Sequence, residues 1–570
     1  MHVRVLPDVI AVDREFTYTV PEGWDRDPRF GVGSMVRVVL NGRRTGGWIT
    51  AVDVDRPEGV EPVPLARLSG LGPDEGLIDL SRWAAWRWAG RPAHFLRTAS
   101  PSRMVPARPR PQRSRLVPSG DHANLFNGEG CTLRLAPSED LLSIAVAAAA
   151  RGQALILVPD HERADYLVRG LRRAGAWVVR HPEGWAAASA GATVVGTLSA
   201  AWAPAPELAS VLVVDEHDEA YRSESAPTWS GRDVAMERAR RAGVPCVMLS
   251  PVPSLEALRS RPLLRPARGI ERDGWPQVEV VDRRGEDPAR AGLYSPALVR
   301  ALREQKQVAC VLNRLGRSAL LACRVCGELV VCTECRSSMR QTDDGRLRCR
   351  AGDHVRPRIC ADCGSTGMKN LRAGVNRVRE EVEALVRSPV AEATGQGYAG
   401  PAGARVVVGT EAVLHLGRPF ETVAFLELDQ ELLAPRFRAR EQALALIARA
   451  ARVTGSRTAG GRILLQTRLP EDPAVVAAFR ADPAILARFE RDRRQEIGLP
   501  PYGAIAVVSG KVAGEYMERL GNPLGVRVAP GPDDQFFLRA PDYDTLCDAL
   551  ASVKRPPGRL RIDVDPVRAI

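Results

Sequence analysis

Seven of the chain's eleven cysteines lie between Cys323 and Cys363, spaced Cys323-x2-Cys326-x5-Cys332-x2-Cys335-x13-Cys349-x10-Cys360-x2-Cys363. A two-residue gap lets one tight turn carry two thiolates to a single Zn²⁺ at about 2.3 Å, and a second pair from a distant strand closes the tetrahedron. Three such knuckles and one odd cysteine do not divide into fours. Either one cysteine is idle, or two ions share these ligands with another residue type; His354 is the only histidine in the segment. The same spacing could serve a disulfide framework, but Cys131, Cys246, Cys310 and Cys547 stand singly in apolar surroundings, as free thiols of a reducing compartment would.

A second candidate for chemistry is the apolar strand Val211-Leu212-Val213-Val214, which runs into Asp215-Glu216-His217-Asp218. In nucleotide-driven motors the first carboxylate at such a strand end holds Mg²⁺ and the second polarises the attacking water. Strand-end carboxylates also serve as plain helix caps. A motor further needs a lysine on the phosphates, and here lysine occurs only at Lys306, Lys369, Lys511 and Lys554.

The elements that must position these residues fall into several units. At 570 residues and 45% apolar composition, the chain is long enough for about three to five cores. Its 80 Lys+Arg against 68 Asp+Glu leave a net charge of +12, which suits a polyanionic partner such as nucleic acid. His2, Arg4 and Asp8 interrupt any apolar leader, and the most apolar stretch, Ile144 to Val158, is broken by Arg151 and falls short of the roughly 20 residues of a membrane span.

Residues 3 to 54 alternate apolar and polar between Gly, Pro and Asn turns, which predicts a small β-domain. Residues 75 to 97 are amphipathic, with Trp83, Trp86 and Trp88 at helical spacing, a pattern of core rather than of base stacking. Arg82, Arg87, Arg91 and Arg97 interleave there, predicted to face phosphates or solvent, and the Pro/Arg-rich run from Pro101 to Pro118 reads as a linker. From Leu133 apolar runs alternate with helical segments, as in a parallel, helix-covered sheet, and the pattern resumes after the cysteine block at Ala404 to Val408, Val423 to Leu428 and Ile463 to Gln466.

Taken together these stretches resemble the family of the primosomal replication restart protein PriA. The resemblance rests on Arg14-Glu15-Phe16-Thr17-Tyr18-Thr19-Val20-Pro21-Glu22, Val36-Arg37-Val38 with Arg43-Arg44-Thr45-Gly46-Gly47-Trp48, Val195-Gly196-Thr197-Leu198-Ser199-Ala200, the cysteine block, Pro435-Arg436-Phe437-Arg438-Ala439, Pro500-Pro501-Tyr502 and Ile562-Asp563-Val564-Asp565-Pro566, in the family's order. It implies a multidomain α/β protein with a small N-terminal β-domain (1–68), a winged-helix-like segment and linker (69–118), a RecA-like lobe one (119–270) and a lobe two (271–322 and 366–469). A zinc-binding insertion (323–365) interrupts lobe two, and a C-terminal α+β domain (470–570) follows.

Carried over from the family, Cys323, Cys326, Cys360 and Cys363 would hold one Zn²⁺, and Cys332, Cys335 and Cys349 a second. The family's eighth cysteine falls at Gly352, and His354, two residues on, is the expected fourth ligand. The resemblance also implies a pocket for a DNA 3′ end formed with Phe16 and Tyr18, with Thr17 where the family carries an acidic residue. Arg43 and Arg44 are available to phosphates. Because Phe16 and Tyr18 share a strand face, they could instead be barrel core.

The departures lie in the motor. Where the family has its phosphate loop this chain reads Ala136-Pro137-Ser138-Glu139-Asp140-Leu141; the acidic motif is one residue short, as Asp215-Glu216-His217; and the arginine-finger helix reads Ala448-Arg449-Ala450-Ala451-Arg452-Val453. The expectation is a pseudo-helicase without catalytic residues, monomeric, cytoplasmic and associated with the nucleoid. It would bind forked DNA with single-stranded DNA-binding protein, primosome proteins and the replicative helicase. An ATP-driven 3′–5′ helicase with an atypical nucleotide site is the alternative from the enzyme class, and a zinc-ribbon nucleic-acid scaffold is a third.

Overall fold

Val3 and Val5 alternate with Arg4 along β1 (His2–Pro7), similar alternation marks β2 (Phe16–Thr19), β3 (Met35–Leu40) and β5 (Arg67–Gly70), and β4 (Arg43–Val52) is buried along its middle on both faces. The computed structural model describes residues 1–10, 12–59, 61–116, 122–286, 293–304, 306–312, 320–342, 344–350, 352–371, 375–532 and 534–567. The five strands order as β2-β1-β4-β3-β5. Thr19 exchanges backbone hydrogen bonds with Val63 and Leu65 at 3.1 and 3.0 Å, which closes the sheet into a small barrel. Asn41 and Gly42, both at positive φ, form the two-residue turn that matches strand twist between β3 and β4. Val3, Val5, Tyr18, Val36, Val38 and Ile49 fill the interior.

Asp74 caps α1 (Glu75–Arg87) by accepting from the Leu77 N–H, and α2 (Pro92–Ala99) opens on a proline at its first turn. Ile78, Ala93 and Leu96 of this helical hairpin cover Leu6 and Trp48 on the outside of the barrel. Trp88 is fully buried and Phe95 stacks on Trp202 of lobe one at 5.3 Å, so Trp88 is core as its spacing indicates, while Trp83 and Trp86 are half-buried at the core's margin. The winged-helix-like segment is no more than this hairpin: residues 100 to 116 carry no helix or strand, and the expected end of the linker at 117–118 lies outside the described residues. Of the hairpin's arginines, Arg82 and Arg97 face solvent as predicted while pairing with carboxylates, Arg91 is half-buried and Arg87 is buried. Arg82 pairs with Glu15 and Asp79, Arg97 with Asp8, Arg91 reaches the Ile10 carbonyl, and the buried Arg87 lies 3.7 Å from the Tyr543 ring centroid.

Lobe one is an all-parallel sheet of β6 (Thr132–Arg134), β7 (Gln153–Leu157), β8 (Val178–Arg180), β9 (Thr193–Gly196), β10 (Leu208–Val214), β11 (Cys246–Ser250) and β12 (Leu263–Leu264), ordered β12-β6-β11-β10-β7-β9-β8. The helices α3 (Leu142–Ala149) and α4 (His161–Arg173) cover one face. Both faces are buried, which is why β7, β10 and β11 read as unbroken apolar runs.

Lobe two begins with β13 (Gln277–Asp282) and β14 (Val308–Val311). The insertion follows, with β15 (Leu320–Cys323), β16 (Met339–Gln341), β17 (Leu347–Cys349), β18 (Val355–Arg356) and β19 (Met368–Leu371). The lobe resumes with β20 (Ala391–Thr394), β21 (Gly397–Ala399), β22 (Val406–Gly409), β23 (Thr422–Phe425) and β24 (Arg462–Thr467), ordered β13-β24-β23-β14-β22-β20-β21 and parallel except for β21. These are two mainly parallel, seven-stranded α/β lobes, in the two stretches where the sequence placed them. The C-terminal domain is an antiparallel sheet of β25 (Ala504–Ser509), β26 (Arg527–Pro530), β27 (Phe536–Ala540) and β28 (Arg561–Val564) with helices at Ala513–Leu520 and Tyr543–Ala551.

Shared cores tie the units together. Leu546 and Tyr516 of the C-terminal domain join Trp88, Phe95 and lobe one, and Ala136 and Val252 of lobe one join the core of lobe two. No helix among the described residues is long and apolar enough to cross a membrane.

Candidate metal centres and interlobe cleft

Among the described residues of the insertion the buried cluster numbers nine, four of them cysteines, so its shape depends on how those cysteines are held. Antiparallel pairing sets Cys323 against Met368 and brings the first knuckle beside the last. Each knuckle turns back on itself: Gly327, Arg336 and Gly364 donate their N–H to the carbonyls of Cys323, Cys332 and Cys360 at 3.1, 3.0 and 3.1 Å. All three turn residues have positive φ, and at Arg336 the chain adopts that backbone without a glycine.

Two four-ligand groups result. The ligand atoms of Cys323, Cys326, Cys360 and Cys363 all lie within 4.8 Å of one another, as do those of Cys332, Cys335, Cys349 and His354. The sulfur pairs Cys323–Cys363, Cys326–Cys360 and Cys335–Cys349 stand 3.5, 3.6 and 3.4 Å apart, and Cys332 Sγ is 3.3 Å from His354 Nδ1. A tetrahedron built on the usual Zn–S and Zn–N lengths has S···S edges of about 3.8 Å and S···N edges of about 3.6 Å, so both donor sets fit a zinc-sized ion. A side chain added at Gly352 would meet the His354 ring at 3.5 Å, so the imidazole takes the space beside Gly352. Burial opposes charge on Cys323 and Cys332, but backbone N–H groups aimed at the sulfurs, from Cys326 and Val325 and from Cys335 and Glu334, bring these thiols down to about 6 and about 7. None of the eleven cysteines is joined in a disulfide, and the four outside the insertion are buried.

Asp215 ends β10 at a positive φ, 4% exposed, and is gripped by two guanidiniums. One is Arg163 of α4; the other, Arg452, comes from the helix Ala439–Thr454 of lobe two. Burial raises the Asp215 pKa, but Arg452 and Arg163 outweigh it and hold the carboxyl at about 2. Glu216 accepts from the Ser254 N–H and hydroxyl, both at 2.7 Å, and from Arg232 at 3.2 Å. The His217 ring meets the Ser250 hydroxyl at 2.7 Å, and Asp218 accepts from Arg449 of lobe two at 2.5 Å. Arg449 and Arg452, three residues apart on one helix face, thus cross the cleft to two carboxylates of the acidic motif.

The segment in the place of the phosphate loop is equally occupied. Ala136 is packed into the lobe-two core, Ser138 donates to the Gly274 carbonyl at 2.8 Å, and Asp140 accepts from the Leu142 N–H at 3.1 Å and the Tyr166 hydroxyl at 2.9 Å. The helix-start N–H that would face a phosphate therefore faces the chain's own carboxylate. A cleft of about 1420 Å³ remains between the lobes, lined by nine arginines and ten carboxylates, so it has no excess of positive charge to draw in a polyphosphate.

The N-terminal prediction divides. Tyr18 is 4% exposed, with its hydroxyl 3.4 Å from the Val39 carbonyl, so it is barrel core and not a stacking platform. Thr17 pairs with Arg4 and takes the opposite face of the strand from Phe16 and Tyr18. Phe16 is half-buried, with the Arg14 guanidinium 4.7 Å from its ring centroid, and Arg43 and Arg44 are exposed just after the β3–β4 turn. The roles of Arg163, Arg449 and Arg452 were not read from sequence. The only signal was the pair of arginines in a helix where a finger helix was expected.

Comparison with known proteins adds independent findings. The family model for the PriA 3′DNA-binding domain matches residues 4–101. The replication restart protein PriA of Treponema pallidum is 29% identical over 66% of this chain and 65% of its own length, and that of Bacillus subtilis 27% over 55% and 43%. The matched region thus spans about half to two thirds of the first curated relatives. The probable replication restart protein PriA of Mycobacterium tuberculosis is 28% identical over 96% of this chain and 90% of its own length.

Proposed function

We propose that this chain, which belongs to the PriA family of replication restart proteins, binds abandoned or stalled DNA forks and promotes primosome assembly and helicase reloading without unwinding DNA itself. Partners on this reading are forked DNA, single-stranded DNA-binding protein, primosome proteins and the replicative helicase. The single observation that carries the non-catalytic half is Asp215 held between Arg163 and Arg452. In a motor that carboxylate needs Mg²⁺ and a nucleotide to balance it; here two guanidiniums, one from each lobe, already supply the balancing charge. The lobes are joined where a motor's lobes must open and close.

DNA binding is supported by the 3′DNA-binding domain match over residues 4–101 and by the net charge of +12. The DNA 3′ end would stack on Phe16, the half-buried ring at the barrel rim, in the place the Arg14 guanidinium now takes over it, with Thr17 on the opposite face of the strand and Arg43 and Arg44 taking phosphates. Cys323, Cys326, Cys360 and Cys363 would hold one Zn²⁺ and Cys332, Cys335, Cys349 and His354 a second, giving the insertion a fixed shape. The test is ATP turnover by purified protein with and without forked DNA. Background turnover in both is expected; DNA-stimulated hydrolysis lost on Asp215→Ala would replace this reading with that of an active helicase.

A further inference from the structure

From Leu80 to Gly120 the sequence has nine arginines and no Asp or Glu. Four of them are tied into the helical hairpin. The other five, Arg103, Arg108, Arg110, Arg113 and Arg115, are exposed and have no side-chain partner among the described residues. Prolines at 101, 106, 109 and 111 restrict this strap to extended conformations.

Both ends are held. The Leu71 N–H donates to the Val105 carbonyl at 3.0 Å beside β5; at the other end the Arg115 N–H donates to the Gly175 carbonyl at 2.8 Å, and the Trp177 N–H to the Ser114 hydroxyl at 3.0 Å. The near end adjoins β5, where Arg67 stands directly opposite Arg37 of β3, both exposed. Like charges in register across two strands cost stability unless an anion lies over them. At the far end, Arg172 and Arg173 occupy the last turn of α4.

We propose that this arginine track, from Arg37 and Arg67 along the strap to Arg172 and Arg173, carries the phosphate backbone of duplex DNA from the barrel to lobe one. It rests on the DNA-binding reading above and extends it beyond residues 4–101. Successive strap arginines lie two to five residues apart, or about 6 to 16 Å in extended chain, a spacing that meets successive phosphates. No aromatic residue lies in the strap, so it grips the backbone and leaves base contacts to the barrel.

The test compares wild type with two variants, Arg108→Gln/Arg110→Gln/Arg113→Gln/Arg115→Gln and Arg37→Gln/Arg67→Gln, on forked DNA, linear DNA duplex and RNA duplex across a salt series. Each lost phosphate contact removes about 0.9 from the log–log salt slope, so the strap variant should lose up to about 3.6 on both DNAs, and the barrel pair up to about 1.8. The barrel pair should also melt no lower than wild type, because the substitutions relieve a like-charge contact. Unchanged slopes in variants that bind DNA as wild type does would overturn the track while leaving DNA binding intact. Variant-sensitive binding confined to RNA would overturn it too, and a wild type that binds neither DNA would remove the underlying reading with it.

Discussion

The cysteine insertion and the interlobe cleft pose one physical problem and answer it differently. Each collects groups whose anionic forms are costly to bury, and such groups need a cation close by. In the insertion the eight ligands surround two spaces of zinc-sized geometry and leave the cation to come from outside. In the cleft the cation is part of the chain, because Arg163 and Arg452 both pair with the buried Asp215 carboxylate. One region needs a bound partner to be complete; the other is already complete. That difference separates a site that awaits its cation from one that carries its own, and it predicts opposite responses to metal, acid and truncation.

The largest expected effect is on the insertion. Its small apolar cluster cannot hold the fold, and structural zinc contributes about 10–16 kcal/mol of apparent binding energy in small zinc domains. Strong chelation should release two zinc ions per chain and expose the insertion to protease while the flanking lobes stay folded. His354→Ala should release or loosen one ion and leave the other at full occupancy. A single zinc in wild type, unaffected by that substitution, would refute the Cys3His centre.

Next is the clamp. Arg452→Ala leaves Asp215 buried with one partner, and breaking a buried pair costs about 3–5 kcal/mol. The variant should melt lower and show faster amide exchange along the cleft, with ATP turnover still at background. An unchanged melting temperature would mean that the carboxylate is already balanced without lobe two.

Acid sharpens the contrast. The Asp215 pKa is depressed to about 2, so its contribution is complete above the ordinary aspartate pKa of about 3.9 and is lost only as pH falls through about 2. Zinc must compete with protons for the thiolates that hold it, and that competition turns against the metal as pH falls. Lowering the pH from about 8 to about 4.5 should therefore release zinc, read with a chromogenic chelator, while the lobes keep their melting cooperativity. Loss of lobe stability in step with zinc release would show that the two regions are coupled.

How much of this was legible follows from how local each feature is. The knuckles are set by two-residue spacings, and the runs Ala154 to Val158 and Val211 to Val214 became β7 and β10 because burial on both faces leaves an unbroken apolar signal. The grouping of the ligands came from family resemblance rather than spacing, since nothing local says which knuckle meets which. The clamp joins Asp215 to a residue 237 positions away and exists only once two lobes face each other. The winged-helix segment was carried over from relatives, whereas the residues after α2 hold prolines and arginines with no apolar periodicity to build it.

The smallest predicted effect concerns the barrel, where sequence alone left Phe16 and Tyr18 equivalent. Closure through Thr19 and Leu65 puts Tyr18 inside and leaves Phe16 half-buried at the rim. Tyr18→Ala should therefore lower the melting temperature and weaken all DNA binding alike, as loss of a core side chain does. Phe16→Ala should instead cost about 1–3 kcal/mol on a fork that presents a 3′ end, the usual range for one base stacked on one ring. Linear duplex binding and stability should move little, because the ring is only partly embedded and its outer face meets Arg14 rather than the core. Equal losses on fork and duplex would show that Phe16 supports the barrel wall and that the terminal base is held elsewhere.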